Sequence, residues 1–317
     1  MDDFRLTVAI CTYNRSELLR DTLTSFREQE GLDALSYEVV VVDNNSTDDT
    51  PEVVRQFASW PNLRYVTEEK QGLSNARNRG IEEARGEIIA YTDDDVLFSR
   101  RWLAELLEGI DRYPEADVFG GKISVKWESA KPDWFVDEGD YSMRGVVGHF
   151  EPDGEEGITT IPPFGGNMAF RASVLRASGG FSPERGREGE YLGSGEETEL
   201  VERLWAEGSK VAYLPDALVH HRIHHTRTLK PYYVRWFTGW QRTATHVLWK
   251  KQGKPGSPRQ LLWRNKHYVR WMLKAAASWL WLAITCQWSA MFSRQLKMLS
   301  CWVQLSLETK AFLGRGQ

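Results

Sequence analysis

The sequence predicts an α/β fold with a mostly parallel sheet flanked by helices. Short apolar, β-branched runs alternate with helical segments over the first 115 residues. These runs are mostly apolar, as expected of strands that are buried on both faces. The chain has 317 residues, of which 41% are hydrophobic and 26% charged, so it is long enough for a large core.

The first half of the chain repeats the strand–helix pattern four times. The predicted strands are 6–10, 37–42, 63–66 and 88–92, and the predicted helices are 16–30, a segment from Thr50, 72–85 and 100–113. Thr50 and Pro51 suit a helix start, because Thr caps and Pro fits the first helical position. Ligands bind at the carboxyl ends of the strands in such sheets. Tyr13, Asp43 and Asp93 lie at these ends.

The fourth strand stops on three consecutive carboxylates, Asp93, Asp94 and Asp95. Like charges at one strand end repel each other unless a cation neutralises them. Side chains alternate along an extended chain, so Asp93 and Asp95 can point the same way and meet one Mg²⁺ or Mn²⁺. The alternative is a solvated acidic turn that caps the helix starting near Arg100.

Composition and missing motifs exclude several classes of protein. The three cysteines, Cys11, Cys286 and Cys301, form no disulfide or metal framework. The terminus Met1-Asp2-Asp3 has no signal pattern, so a cytosolic start is expected. No glycine-rich loop precedes Lys-Ser or Lys-Thr, and no complete dinucleotide fingerprint is present, so kinase-like and dehydrogenase functions are disfavoured.

Seven segments together resemble family 2 glycosyltransferases of the GT-A (Rossmann-like) fold, in the right order and over roughly residues 5–230. They are Cys11-Thr-Tyr-Asn-Arg15, Val40-Val-Val-Asp-Asn-Asn-Ser-Thr-Asp48, Gly72-Leu-Ser-Asn-Ala-Arg-Asn78, Asp93-Asp-Asp95, Gly165-Gly-Asn-Met-Ala-Phe-Arg171, Gly195-Glu-Glu-Thr-Glu-Leu200 and His221.

The resemblance implies a nucleotide-sugar donor held in the first half of the chain. Tyr13 would pack near the nucleobase, Asp43 would bind the base or ribose, and Arg77 would face the base or the diphosphate. The implied donor-binding residues are Thr12, Tyr13, Asp43, Arg77, Asp93 and Asp94, and the implied ligands of Mn²⁺ or Mg²⁺ are Asp95 and His221. Taken singly, Tyr13 could be core, Asp43 an Asx turn with Ser46, and Arg77 a surface residue.

Glu197 opens a predicted helix that runs to about Gly208. Ser194 and Glu197 have the spacing of a capping box, which by itself explains the acid. The resemblance instead makes Glu197 the catalytic base, although the family usually carries Glu-Asp where this chain has Glu196-Glu197. A histidine cluster at 220–225 could bind zinc, but it has no cysteine and no obvious acidic ligand.

Two segments flank the predicted site. Residues 126–163 form a long acidic loop with Trp127, Trp134 and Phe135, which is either a lid whose aromatic rings face sugars or a surface excursion. Gly165 and Gly166 permit close approach of the backbone to another group.

The last part of the chain has a different composition. From Pro231 onward, 14 Lys and Arg stand against one acid, Glu308, and nine of the 14 tryptophans lie there. A charge-free run at 275–293 just reaches spanning length, but its polar residues and scattered tryptophans favour a helix lying in a membrane interface. The alternative is a soluble helical hairpin. Such a segment indicates an anionic membrane surface as partner rather than nucleic acid.

The sequence therefore predicts an inverting, metal-dependent glycosyltransferase that uses a nucleotide-sugar, UDP by family frequency. The expected parts are a nucleotide-sugar-binding half (1–115), an acceptor and catalytic half (116–229) and a basic, Trp-rich helical C-terminal region that associates with membranes (230–317). The acceptor would be a saccharide or lipid-linked saccharide on the cytoplasmic side of the cell membrane, with the protein peripheral. Alternatives are a donor-binding scaffold without turnover and a sugar-phosphate nucleotidyltransferase.

Overall fold

A computed structural model describes residues 4–32, 35–152, 155–183 and 195–314, and within them one mixed sheet has nine strands. The predicted Met1–Asp3 start and the capping residue Ser194 lie outside the described residues. The strands are β1 (Leu6–Thr12), β2 (Tyr37–Asp43), β3 (Leu63–Thr67), β4 (Ile88–Asp93), β5 (Val96–Phe98), β6 (Val118–Trp127), β7 (Gly157–Thr159), β8 (Asn167–Arg171) and β9 (Val211–Ile223).

The sheet has a parallel half and an antiparallel half. Its order is β3-β2-β1-β4-β8-β6-β9-β5, with β7 paired to β9. Strands β3, β2, β1 and β4 run parallel, whereas β8 is antiparallel to both β4 and β6. The predicted α/β fold is confirmed, and the described residues give it a mixed sheet.

The helices of the described chain flank this sheet or follow it. They are α1 (Ser16–Arg27), α2 (Thr50–Arg55), α3 (Leu73–Glu83), α4 (Trp102–Arg112), α5 (Ala172–Ala177), α6 (Glu196–Ala206), α7 (Lys230–Gln252), α8 (Pro258–Ile284) and α9 (Trp288–Phe312). The predicted helices of the first half match α1 to α4, and the helix predicted to open at Glu197 is α6.

Apolar faces of the helices pack on the sheet because their hydrophobic residues recur at helical spacing. In α1, Leu19, Leu23 and Phe26 are fully buried. The Phe26 ring packs edge-on against Phe98 and Trp102, which joins α1 to β5 and α4. This packing holds the carboxyl ends of β1 and β4 in place relative to each other.

The antiparallel strands were not predicted from periodicity. β9 is 13 residues long, yet it contains Pro215, which normally argues against a strand, and polar residues such as Asp216 and His220. β8 has only five residues, too few for a clear pattern. Their pairing with distant strands, rather than local preference, makes them strands.

The chain divides into two compact units. The first contains residues 1–126, 148–190 and 196–222, and the second contains 127–147, 191–195 and 223–317. In the second unit, α7 and α9 share a buried polar network. Gln241 Nε2 donates to Gln304 Oε1 at 2.6 Å, and Ser300 Oγ donates to Gln241 Oε1 at 2.6 Å. Because these groups are buried, the hydrogen bonds specify how the two helices align.

An interfacial helix over the charge-free run 275–293 would require one continuous helix there, but the run is divided between two helices. Helix α8 ends at Ile284, Cys286 has a left-handed φ of 56°, and α9 begins at Trp288. The run therefore forms the end of a helical hairpin. Among the described residues, no helix combines the length and the apolar character needed to cross a membrane.

The predicted lid 126–163 is only partly a loop. Residues 139–141 and 144–147 form short 3₁₀ turns, and Ile123 bridges to Phe150. Phe135 is buried and packs edge-on against Trp127, and the Trp134 ring lies against Tyr233 and Phe292. The idea that Phe135 offers an open ring face to a sugar is therefore wrong, because other aromatic rings cover it.

Candidate active site

The candidate site lies at the carboxyl ends of the parallel strands, within the first unit. The strand register pairs Thr12 with Asp43 and Cys11 with Asp93, so three predicted donor-binding residues meet at one edge. Asn44 N–H donates to the Thr12 carbonyl at 2.9 Å and ties the ends of β1 and β2 together. The convergence predicted from the strand ends is therefore present.

Asp94 is buried and oriented by two neighbours. Thr12 Oγ1 donates to Asp94 Oδ2 at 2.8 Å, and Arg15 Nη1 donates to Asp94 Oδ1 at 2.9 Å. Burial raises the pKa of this carboxyl, an effect that Arg15 opposes. Thr12 and Asp94 thus contact each other, and contact of either with a donor stays a prediction.

Asp95 and His221 lie side by side because β5 pairs with β9. The register sets Val96 opposite His221, and Arg222 N–H donates to the Asp95 carbonyl at 2.9 Å. His221 Nε2 lies 3.3 Å from Asp95 Oδ1, and Arg15 Nη1 lies 3.1 Å from Asp95 Oδ2. Both side chains are almost fully buried.

This pair fits a hard divalent cation. Two neighbouring ligands at about 2.1 Å from an octahedral ion lie about 3 Å apart, close to the observed separation. One carboxylate oxygen and one imidazole nitrogen suit Mn²⁺ or Mg²⁺, which keep their other positions for phosphate and water. No group of three or more His, Cys, Asp or Glu that could hold a metal is found in the described part of the chain. The zinc alternative for the histidines stays a prediction.

Gly148 allows His221 to take this position. Its φ is 66°, a conformation that side chains other than glycine rarely adopt. A Cβ on Gly148 would lie 3.0 Å from His221 Nδ1. The other histidines have different neighbours: His220 Nδ1 lies 2.6 Å from Ser124 Oγ, and the rings of His224 and His225 contact each other.

Asp43 forms the turn that was its alternative interpretation. Ser46 N–H donates to Asp43 Oδ1 at 2.9 Å, and Tyr65 O–H donates to Oδ2 at 2.5 Å. Asp43 is buried, and each of its two carboxylate oxygens accepts one of these hydrogen bonds. Tyr13 is 38% exposed and is not core, which leaves its ring available for a planar ligand.

Arg77 is buried and ion-paired rather than a surface residue. Its Nη1 donates to Glu196 Oε1 at 2.7 Å, and its guanidinium lies 5.3 Å from the centre of the Phe181 ring. A Cβ on Gly165 would overlap Arg77 Nη2, so this glycine lets the backbone cover the guanidinium. The pair joins α3 to the first residue of α6 across 119 positions of sequence.

The backbone at Gly166 lies close to the side chain of Asp93, as the backbone at Gly165 does to Arg77. A Cβ on Gly166 would lie 3.0 Å from Asp93 Oδ2. The paired glycines were predicted to bring the backbone close to another group, and that prediction is confirmed. The groups they approach are the side chains of Arg77 and Asp93.

Glu197 has one carboxyl oxygen without a hydrogen-bond partner in the described part of the chain. This oxygen, Oε2, is buried. Burial, and next the charge of Glu196, raise the pKa of Glu197 to about 8, while Arg77 opposes the shift. A carboxyl with a pKa near the working pH is suited to general acid–base chemistry.

Sequence reasoning missed two residues of this site as named participants. Arg15 and Glu196 were quoted only within motifs, yet in the structure Arg15 forms a partly buried ion pair and Glu196 a buried one. Their partners are 79 and 119 residues away, so local pattern offered no signal for either pair. The one available clue was charge balance, because three adjacent aspartates require a nearby cation.

Comparison with known proteins identifies the family. The sequence model described as glycosyl transferase family 2 matches residues 7–179, more than half of the chain. The chain belongs to glycosyl transferase family 2. The matched segment contains β1 to β4 and the Asp93–Asp95 edge, and it ends before α6, so family membership does not by itself assign Glu197.

Relatives and solved structures agree with this family. The chain is 28% identical over 233 residues to a glucosyl-dolichyl phosphate glucuronosyltransferase of Haloferax volcanii, covering 71% of each chain. It superposes with a TM-score of 0.61 and 21% identity on a mannosyltransferase of Pyrobaculum calidifontis solved with GDP-Man and Mn²⁺, covering 95% of this chain and 87% of that one. For S. aureus TarS 1-349 with UDP, the TM-score is 0.53 at 17% identity, covering 98% and 92%. Both likenesses support a GT-A-like fold.

Proposed function

We propose that this family 2 glycosyltransferase moves a sugar from a nucleoside diphosphate, UDP in the first instance, to an acceptor hydroxyl with inversion. The observation that carries the proposal is the buried, unsatisfied Oε2 of Glu197 near the donor edge. Arg77 links Glu197 to the donor edge, because it pairs with Glu196 at 2.7 Å and the charges of Glu197 and Asp93 both raise its pKa. A proton acceptor thus lies near the residues that would hold the donor.

Glu197 acts as the general base in this proposal. It takes the proton of the acceptor hydroxyl while that oxygen forms a bond to the anomeric carbon. The bond from the anomeric carbon to the diphosphate breaks in the same displacement, and the nucleoside diphosphate leaves with the electron pair. One displacement from the opposite face inverts the configuration at that carbon.

Asp95 and His221 would hold the divalent cation. Mn²⁺ or Mg²⁺, when bound, supplies charge stabilisation to the leaving diphosphate. Tyr13, Asp43, Asp93 and Arg77 would line the donor, with Thr12 and Asp94 beneath it.

Asp95→Ala is expected to weaken nucleotide binding in the presence of Mn²⁺ and to leave it unchanged in EDTA, as calorimetry can measure. Equal losses in both conditions would remove Asp95 from the ligand set.

The acceptor is proposed to be a saccharide or a lipid-linked saccharide in glycolipid or polysaccharide assembly. The Haloferax relative is named for a dolichyl phosphate substrate, which supports a lipid-borne acceptor here. The basic, Trp-rich segment after Pro231 supports a peripheral position on the cytoplasmic side of the cell membrane. The first unit would then bind the donor, and the second unit would contact the membrane.

A product assay separates the proposal from its alternatives. The full chain is incubated with Mn²⁺, a panel of UDP- and GDP-sugars and simple glycoside acceptors, and the released nucleotide is identified by chromatography. Free nucleoside diphosphate, together with a new glycoside, is the expected result. Release of pyrophosphate on incubation with a nucleoside triphosphate and a sugar phosphate would instead indicate nucleotidyl transfer. Donor binding without turnover would indicate a scaffold.

A further inference from the structure

Helix α8 carries an exposed apolar ridge along its whole length. Leu262, Val269, Leu273, Leu280 and Ile284 recur at intervals of seven and four residues, so they lie within about 60° of one another around the helix. Their exposed fractions are 72%, 39%, 63%, 56% and 77%. Contiguous apolar surface of this kind marks an interaction site.

The ridge continues onto the tip of the hairpin. Trp281 and Trp288 flank the turn around Cys286, and both are more than 60% exposed. Each has a polar indole N–H on an apolar ring, so tryptophan suits a boundary between water and hydrocarbon. The tip therefore adds two exposed aromatic side chains to the ridge.

Positive charge lies on the same exposed face. Arg259, Lys266 and Arg270 are exposed on α8, beside the ridge, and α8 contains no acidic residue. The one acid after Pro231 in the sequence, Glu308, is fully buried. Lys274 is also exposed but already pairs with Asp140. The exposed surface of α8 thus combines positive charges with apolar side chains. Because α8 has no carboxylate, it has no negative charge that could pair with another basic surface.

We propose that α8 lies in the plane of an anionic membrane, with its ridge in the acyl boundary and its cations on lipid phosphates. The charge pattern disfavours a second copy of the chain, because two basic faces would repel each other. The helix is too polar to cross a membrane, which agrees with an in-plane position. The inference deepens the proposed function, since a lipid-borne acceptor would be met at this surface.

Sedimentation of the full chain with lipid vesicles tests the proposal, without donor or acceptor present. Wild type is expected to bind vesicles of phosphatidylcholine with phosphatidylglycerol, to bind pure phosphatidylcholine more weakly, and to lose affinity in 0.5 M salt because salt screens surface charge. Leu273→Ser with Ile284→Ser is expected to weaken binding by ~10-fold or more, since two large side chains no longer enter the bilayer.

A matched control removes exposed apolar residues from the other unit. Ile158 and Ile161 are 49% and 40% exposed, so Ile158→Ser with Ile161→Ser also replaces two exposed large apolar side chains by serine. This control is expected to bind vesicles as wild type does. Equal loss in both double variants, or no loss in the ridge variant, would overturn the proposal. A wild-type dimer that becomes monomeric in the ridge variant, without vesicle binding, would show that a second copy covers the ridge.

A second measurement reports on the tip directly. Cys286 is exposed, whereas Cys301 is buried and Cys11 is only partly accessible, so a polarity-sensitive thiol dye can be directed to the turn. Anionic vesicles are expected to shift its emission to the blue, and an unchanged spectrum would contradict insertion of the tip. Because neither experiment uses transfer, a failure here leaves the transferase proposal standing, and the product assay fails or succeeds independently.

Discussion

At the scale of single residues, Arg15 sets the charge balance of the aspartate cluster. Its Nη1 bridges Asp94 and Asp95 at 2.9 and 3.1 Å. When Asp93, Asp94 and Asp95 are all ionised, one guanidinium leaves two negative charges, which one divalent cation neutralises. The divalent ion of the proposed function would therefore bind there without leaving an excess of buried charge.

Arg15→Met is expected to destabilise the metal-free protein by about 2 kcal/mol, because two buried carboxylates lose their cation. Mn²⁺ with UDP is expected to recover part of this loss by replacing the missing charge. Thermal melting in EDTA and in Mn²⁺ measures both effects. Arg20→Met is the matched control, because Arg20 lies on α1, which begins just after Arg15, and pairs with an exposed acid. The idea fails if the two variants melt alike in EDTA.

Glu197 is expected to make stability depend on pH. Its pKa is raised from 4.5 to about 8 in the folded protein, so the folded state keeps a proton that the unfolded state releases. The folded state is therefore favoured at low pH, and this contribution is lost as pH rises from about 4.5 to about 8. Glu197→Gln removes the titration, so its melting temperature is expected to exceed that of wild type at pH 9 and to match it at pH 4.5. A constant difference at both pH values would contradict a buried carboxyl.

At the scale of elements, strand pairing and glycine conformations bring the functional side chains together. The pairing of β5 with β9 brings Asp95 beside His221, and Gly148, which follows the 3₁₀ turn 144–147, leaves space for the imidazole. Gly165 and Gly166 come before β8 and cover Arg77 and Asp93. Helix α6 begins at Glu196, which accepts from Arg77, and the charge of the next residue, Glu197, also acts on this guanidinium.

Gly148→Ala tests whether the position of His221 matters for metal binding. The new Cβ would lie 3.0 Å from His221 Nδ1 and displace the ring, so Mn²⁺-dependent nucleotide affinity is expected to fall ~10-fold. Gly139→Ala has a comparable φ of 77° and nothing within 4 Å of the new Cβ. Both variants are expected to lose about 1 kcal/mol of stability, but only Gly148→Ala is expected to lose metal dependence. Equal metal response in calorimetric titrations would contradict the assignment of His221.

At the scale of the whole molecule, the sequence predicted best where local pattern and tertiary position agree. Strands β1, β2 and β4 are buried on both faces, so their apolar runs and polar ends were readable directly. β9 was missed because it contains Pro215 and several polar residues, which a strand tolerates only when it pairs with distant strands. The turn at Cys286 was missed because neither glycine nor proline marks it. The Arg77–Glu196 pair could not be read from sequence, since its members are far apart.

The central claim is that Glu197 accepts the acceptor proton, and turnover of Glu197→Gln tests it most directly. Gln keeps the shape and the helix start but removes the proton acceptor, so kcat is expected to fall by about 10²- to 10⁴-fold with donor affinity unchanged. Glu197→Asp is expected to keep substantial activity. Glu199→Gln, in the same helical turn, is the control and is expected to keep near-normal kcat. Near-normal kcat in Glu197→Gln, with a large loss in Glu196→Gln, would contradict the account.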